Sequence, residues 1–307
     1  MKARRPGRMS MAGWIGIMVA IVTATMVARS EAQDLATLEI ERNGSGEGRT
    51  VVFIPGLATP GDVWDSTVAA LGPDIDAHVV TLAGFGDVPA VPRGEAGVIG
   101  SAVADLDRWL ESEGLDDVVL VGHSMGAQIA LQIAASAPER VSDVVVVDSA
   151  PFFARLFNPA ITPGQAAAYA AGVSAQMAAA PREQFLAMSR QGLPVQSITE
   201  AGQAQVMSWM EQADQAVVSA AMGEVMATDY SPVLSDVAAP VTVLIAWSEG
   251  SPMSADQLES VYARQYAGLA SLDLLRIDGS RHFIMLDQPD RFRSALGAVI
   301  VRQNEEN

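Results

Sequence analysis

Cysteine is absent from the 307-residue chain, and this absence excludes several kinds of chemistry at once. Without thiols there are no disulfide bonds, no thiolate zinc sites and no cysteine nucleophile. Basic residues are also scarce, since 19 Lys and Arg stand against 36 Asp and Glu, for a formal net charge of −17. A chain of this charge does not neutralise phosphates, so we expect no nucleic-acid partner.

The chain also lacks internal repeats, low-complexity linkers and clusters of His, Asp and Glu at the spacing of metal ligands. No Gly-rich turn has the pattern of a nucleotide-binding loop. We therefore expect neither a metal nor an organic cofactor. Hydrophobic residues nevertheless make up 50% of the chain, which is ample for a buried core.

The first 32 residues have the composition of an export signal. They begin with four basic residues, Lys2, Arg4, Arg5 and Arg8. An apolar stretch follows at 11–28, and Ser30 and Ala32 are small residues at the positions that a signal peptidase inspects. This predicts a signal peptide at 1–32 and a secreted or periplasmic protein. The apolar stretch is almost long enough to span a bilayer, so an uncleaved N-terminal membrane anchor is the alternative.

Short apolar runs alternate with segments of helical spacing along most of the remaining chain. The runs predicted as buried strands lie at 50–54, 78–82, 117–121, 144–147, 240–246 and 272–277. Continuous rather than alternating apolar strands are typical of a sheet that is covered on both faces. The pattern therefore predicts an α/β fold, a mostly parallel sheet with helices on both faces.

This alternation stops between residues 152 and 232, in a segment rich in Ala, Gln and Met. Several helical patterns separated by Pro or Gly occur there, and none resembles a strand. We therefore expect a first core part at 33–151, a helical cap at 152–232 and a second core part at 233–307. Seven methionines either line an apolar pocket under this cap or pack inside its helices: Met125, Met177, Met188, Met207, Met210, Met222 and Met226.

The segment Gly122-His123-Ser124-Met125-Gly126 follows one predicted strand and begins a helix. A sharp turn between a strand and a helix exposes the serine hydroxyl, and side chains at the flanking glycines would clash with neighbouring backbone. The segment resembles the nucleophile elbow of the α/β-hydrolase superfamily. The resemblance covers nearly the whole mature chain, including the turns Pro55-Gly56-Leu57 and Gly84-Phe85-Gly86, the helical insertion and a late histidine.

A serine hydroxyl is a weak nucleophile at neutral pH and needs an adjacent base. Of the three histidines, His78 lies in or beside a strand at the wrong end of the sheet for this role. His123 lies within the elbow, where we expect it to pack or to orient a neighbour. His282 follows the last strand, at the carboxyl edge where open α/β sheets place their sites, and it matches the family's histidine. We therefore predict Ser124 as nucleophile and His282 as general base.

Two carboxylates are the main candidates for the acid that orients this base. In many members of the superfamily the acid follows the strand after the insertion, where this chain has Glu249 beside Gly250. Other members have the acid one strand earlier, which corresponds to Asp148. We favour Asp148 and keep Glu249 as the alternative, with Asp256 a more distant candidate.

The resemblance further implies an oxyanion hole made by the backbone N–H groups of Leu57 and Met125. It implies a serine hydrolase that cleaves a carboxylic ester or thioester through an acyl-enzyme, with a small-molecule, mainly hydrophobic acyl substrate. Lactonase, amidase and C–C bond hydrolase activities use the same groups and stay open. A non-catalytic ligand-binding protein of the same fold is the alternative from a different functional class.

Overall fold

A computed structural model of the protein describes residues 37–44, 48–72 and 75–302. The predicted signal peptide at 1–32 lies outside these residues. In the described part of the chain, no helix has the length and apolar character needed to cross a membrane. The strands are β1 (Leu38–Asn43), β2 (Arg49–Ile54), β3 (Ile75–Leu82), β4 (Val118–His123), β5 (Val141–Val147), β6 (Val241–Trp247) and β7 (Leu272–Asp278). The helices are α1 (Asp65–Leu71), α2 (Gly97–Glu113), α3 (Met125–Ser136), α4 (Pro163–Ala179), α5 (Arg182–Gln196), α6 (Glu200–Gln212), α7 (Gln215–Ala227), α8 (Ala255–Gln265), α9 (Ile284–Asp287) and α10 (Pro289–Arg302).

The strands form one seven-stranded sheet in the order β1-β3-β2-β4-β5-β6-β7. Strand β1 is antiparallel to β3, and every other neighbouring pair is parallel. This confirms the predicted fold class, and the six predicted strands are present with ends shifted by a few residues. Strand β1 was not predicted from the sequence. It is an edge strand whose side chains are mostly exposed, so it has no continuous apolar run.

Alternate side chains of the central strands pack against helices on opposite faces of the sheet. In β2, Val52 and Ile54 belong to a core cluster that also contains residues of α2, α3 and α8. Val51 and Phe53 belong to a second cluster, which contains residues of α10 and is flanked by α1. Both faces of the sheet are therefore buried, which explains why its strands are continuous apolar runs.

The helices α4 to α7 lie between β5 and β6, within the interval predicted as a cap. Helix α7 is attached to the core through Glu224, whose carboxylate oxygens accept hydrogen bonds from the N–H groups of Val98 (2.7 Å) and Ile99 (2.8 Å). These two N–H groups lie at the start of α2, where a helix has no acceptors of its own and where negative charge is favourable. The insertion is thus held on the core by a specific electrostatic contact.

Candidate active site

Ser124 lies at the turn between β4 and α3 in a backbone conformation that is rare for a residue with a side chain, with φ 52° and ψ −116°. A Cβ at Gly122 would lie 2.5 Å from Cα of Ala127, and one at Gly126 would lie 2.2 Å from the carbonyl oxygen of Ile54. Both positions therefore accept only glycine. The N–H of Ser124 donates to the carbonyl of Val147 (3.0 Å), which ties the strained residue to the sheet. Strain retained in this way is typical of a functional residue.

His282 and Asp148, which are far apart in the sequence, form a close pair. Nδ1 of His282 lies 2.7 Å from Oδ2 of Asp148. Because a carboxylate only accepts hydrogen bonds, Nδ1 donates the proton and Nε2 is left as the acceptor. The other carboxylate oxygen, Oδ1, accepts from the N–H of Ala246 (3.1 Å) and from the hydroxyl of Tyr262 (3.2 Å). Three donors thus hold the carboxylate in position.

The structure brings Asp148 to His282, and it does not bring the other two candidate acids there. Asp148 directly follows β5 with φ 46°, and its N–H donates to the carbonyl of Leu244 (2.9 Å). Glu249 lies exposed in the turn after β6, and Asp256 is exposed in the first turn of α8. Within the described residues, neither carboxylate has a hydrogen bond or ion pair with His282.

His123 supports the loop that carries His282. Its Nε2 donates to the carbonyl oxygen of His282 (3.0 Å), and the two ring centroids are 4.6 Å apart. Complete burial, reinforced by the neighbouring His282 ring, holds the pKa of His123 well below its usual value, so its ring is neutral. His78, by contrast, lies in β3, bonds to Asp76 and does not reach the site. His123 therefore orients a neighbour, as predicted from its place in the elbow.

The two predicted oxyanion donors have free backbone N–H groups. Met125 is the first residue of α3, where the N–H has no acceptor within the helix. Leu57 follows β2 in the turn that packs against the elbow, where a Cβ at Gly56 would lie 3.2 Å from Cβ of Ser124. In the described part of the chain neither N–H has a hydrogen-bond acceptor. Both are available to a ligand oxygen beside Ser124.

A cavity of about 900 Å³ lies between the carboxyl ends of the central strands and the insertion. Ser124, Asp148 and His282 lie in its wall, which is otherwise mainly apolar. Six of the seven methionines singled out from the sequence line it: Met177, Met188, Met207, Met210, Met222 and Met226. Met125 does not, because its side chain is fully buried in the core under the elbow. The methionines of the insertion thus face the cavity rather than packing only among their own helices.

Three residues at this site were not identified from the sequence. Tyr262 supports the acid from α8, and Asp287 links the His282 loop to the insertion, as discussed below. Arg281 lies in the cavity wall beside His282. No local motif marks these residues, since their partners are distant in the sequence. Among the described residues there is no cluster of His, Asp and Glu suited to a metal ion.

The chain is similar in sequence to a known protein family and to several curated proteins. A model of the alpha/beta hydrolase family matches residues 51–295. The chain is 32% identical over 119 residues to a pimeloyl-[acyl-carrier protein] methyl ester esterase of Pectobacterium carotovorum, a match that covers 39% of this chain and 44% of that protein. It is 32% identical over 103 residues to an N-formylmaleamate deformylase of Pseudomonas putida, covering 34% of this chain and 38% of the relative.

The chain therefore spans less than half the length of these curated relatives. Solved structures match over a much longer part of the chain. A thermophilic esterase from Thermogutta terrifontis superposes with a TM-score of 0.69 at 21% identity, covering 86% of this chain and 93% of that one. This similarity concerns the fold alone.

Proposed function

Because the chain belongs to the alpha/beta hydrolase family, we propose that it is a serine hydrolase that cleaves carboxylic esters or thioesters through an acyl-enzyme. The observation that carries the proposal is the 2.7 Å pair between His282 Nδ1 and Asp148 Oδ2 on the wall of the cavity that also contains the strained Ser124. The sequence relative named as a methyl ester esterase supports an ester as substrate.

In the proposed first step, Oγ of Ser124 attacks the carbonyl carbon of the substrate while Nε2 of His282 takes the hydroxyl proton. The negative charge of Asp148 stabilises the imidazolium that forms and keeps the proton-accepting nitrogen turned to the cavity. The imidazolium then gives its proton to the leaving alcohol or thiol. His123 and Tyr262 act as positioning residues, one for the loop of His282 and one for Asp148.

The N–H groups of Met125 and Leu57 receive the oxyanion of the tetrahedral intermediate. Backbone donors of this kind are fixed before the reaction, so they stabilise the developing charge without reorganisation. The start of α3 adds the positive end of a helix at the same place. Water, activated by His282, then hydrolyses the acyl-enzyme and restores Ser124. Lactonase, amidase and C–C bond hydrolase activities would use the same groups.

We propose that the acyl group is mainly hydrophobic, because the cavity wall is apolar and rich in methionine. Unbranched thioether side chains adapt to ligands of different shape, which suits flexible acyl chains. A cavity of about 900 Å³ is within the usual range for small-molecule sites. Its size is therefore compatible with a small-molecule ester.

Labelling with a fluorophosphonate probe tests the nucleophile. We expect the wild-type protein to react and Ser124→Ala to remain unlabelled. On p-nitrophenyl esters of increasing chain length, kcat/KM should fall by at least about 10⁴-fold in Ser124→Ala. Ser136→Ala, on the far end of α3, is the matched control and should retain activity. A wild-type protein that is neither labelled nor active on esters, thioesters and lactones at several pH values would favour a ligand-binding protein instead.

We propose further that the protein is exported, either released after removal of residues 1–32 or held by them as an anchor. The charge and hydropathy of that segment support export, as set out above. Amino-terminal sequencing of the protein from cell fractions tests this. A mature chain that begins at Gln33 in the periplasm or medium is expected, and an intact terminus in a cytoplasmic fraction would contradict it.

A further inference from the structure

Among the arginines whose side chains the structure describes, Arg281 differs from the others in having no partner for its guanidinium. The others form hydrogen bonds, ion pairs or both: Arg42, Arg49, Arg93, Arg108, Arg140, Arg155, Arg182, Arg190, Arg264, Arg276, Arg291 and Arg293. For Arg281, the described residues provide a partner only for the backbone N–H, which donates to Oδ2 of Asp287 (2.8 Å). An unpaired cation is unexpected in a chain whose net charge is −17.

Arg281 lies close to the residues proposed to carry out the reaction. The residue precedes His282 and lies in the wall of the same cavity, where it is only partly exposed. Apart from it, the charged residues of that wall are Asp148 and, when protonated, His282. Asp148 is bonded to His282, Ala246 and Tyr262, and no hydrogen bond or ion pair among the described residues joins it to Arg281. The cavity wall therefore contains a guanidinium without a bonding partner among the described residues.

We propose that Arg281 is a binding residue for a carboxylate on the substrate, so that the preferred substrate is an ester that also carries a free acid group, such as the half ester of a dicarboxylic acid. The proposal rests on the proposed ester hydrolysis and specifies its substrate class. A guanidinium presents paired N–H donors that match the two oxygens of a carboxylate, and such charge-assisted pairs are strong in a partly desolvated site.

The charge balance favours a carboxylate over a phosphate. One guanidinium neutralises the single charge of a carboxylate. A phosphate monoester has a charge near −2 at neutral pH. Its second charge would lie uncompensated in an apolar cavity of an acidic protein, and an unpaired charge is costly there. The remaining cavity wall is mainly apolar, which suits a hydrocarbon chain between the acid group and the ester.

The test compares the monomethyl and dimethyl esters of succinate, adipate and suberate, with hydrolysis followed by titration of the released acid. After correction for the two ester groups of the diester, we expect the wild-type enzyme to prefer at least one half ester by about 10- to 100-fold in kcat/KM. Arg281→Gln should abolish this preference, because the half ester should lose about 10- to 100-fold more of its kcat/KM than the diester. Arg281→Lys should keep part of it, and the preference should decrease with added salt.

Arg291→Gln is the matched control, because this arginine bonds to the carbonyl of Asp278 and does not line the cavity. It should behave as wild type. Equal losses on half ester and diester in Arg281→Gln, or a wild-type preference for the diesters, would overturn the proposal. So would tighter binding of hexyl phosphate than of monomethyl suberate.

A binding measurement separates this proposal from the proposed reaction. In Ser124→Ala no acyl-enzyme forms, and calorimetry of monomethyl and dimethyl suberate reports recognition alone. We expect tighter binding of the half ester and loss of this difference in Ser124→Ala/Arg281→Gln. If the wild-type protein hydrolyses nothing but this difference is present, the reaction fails and the carboxylate site stands. If esters are hydrolysed but the difference is absent, the carboxylate site fails.

Discussion

The sheet and the four-helix insertion contribute to the same cavity, but they are buried to very different degrees. The central strands and α3 are almost completely buried, and Ser124 is itself only 7% exposed. In the insertion, α4 buries Ala166 and Ala170 alone, and α5 buries only Phe185. Large apolar side chains at the cavity remain exposed on this side, such as Val195 at 59% and Phe157 at 72%.

This difference in burial indicates that the two regions have different roles. Groups that carry out bond cleavage need fixed positions, and the residues proposed for this role lie on turns that the packed sheet holds in place. Groups that contact the variable part of a substrate need to adapt, and they lie on helices with few buried residues and many methionines. Regions with few buried contacts open more easily than the core. The comparison therefore predicts that changes in the core affect turnover or stability, and that changes in the insertion affect substrate choice.

The largest expected effect is on the acid that belongs to the core. Asp148→Asn should reduce kcat by about 10⁴-fold, because an amide at this position no longer holds the charged form of His282 or its correct tautomer. Glu249→Gln, in the exposed turn after β6, should retain activity within about twofold. Steady-state kinetics on one p-nitrophenyl ester checks both. Similar losses in the two variants would show that the acid is misassigned.

A pair of truncations tests the contrast in stability. Leu131 in α3 is fully buried, and Leu131→Ala should reduce the free energy of unfolding by about 2–5 kcal/mol. Met188 in α5 is 37% exposed and lines the cavity, so Met188→Ala should cost no more than about 1 kcal/mol. The second variant should instead change the preferred acyl chain length. Urea denaturation and an ester series measure the two effects, and a large stability loss in Met188→Ala would contradict the comparison.

Asp287 forms hydrogen bonds to both regions. A change at this residue should therefore affect turnover, although the residue also contacts the insertion. Its carboxylate accepts from Oγ of Ser197 (2.6 Å) and the N–H of Ile198 (3.0 Å), at the end of α5, and from the N–H of Arg281 beside the proposed general base. The N–H of Phe283 also donates to the carbonyl of Gln196 (2.9 Å). The insertion and the His282 loop are thus connected by hydrogen bonds on both sides of the histidine.

We therefore expect Asp287→Ala to lower kcat/KM by up to about 100-fold through displacement of His282. The loss should be as large for a p-nitrophenyl acetate as for a long-chain ester, because the base is displaced and not only the acyl pocket. Asp290→Asn, an exposed carboxylate in α10, is the control and should be near wild type. A loss confined to long-chain esters would assign Asp287 to the insertion alone.

The parts of this molecule that follow from local patterns were predictable from the sequence. The parallel strands are apolar runs, and Gly122 and Gly126 stand where the backbone leaves no room for a Cβ. The order of strands was not predictable, nor was β1, whose pairing with β3 depends on hydrogen bonds and not on burial. The choice between Asp148 and Glu249 stayed open for a similar reason. It depends on which carboxylate the fold brings to His282, and sequence proximity carries no information about that.

The smallest expected effect concerns His123, which belongs to the core but contacts the base. Burial keeps its pKa well below the ordinary value of 6.5, so the folded state stays neutral where the unfolded chain takes up a proton. Its contribution to stability is therefore complete above about pH 6.5 and is lost as the pH falls below that value, by up to about 1.4 kcal/mol per pH unit. The titratable group beside this ring is His282. Urea denaturation between pH 7.5 and 5 should give a shallower pH dependence for His123→Asn than for wild type.

His78→Asn is the matched comparison, because burial also lowers the pKa of His78 while Asp76 opposes that shift. If His123→Asn leaves the slope unchanged while His78→Asn reduces it, the acid sensitivity belongs to β3 and not to the support of the proposed general base.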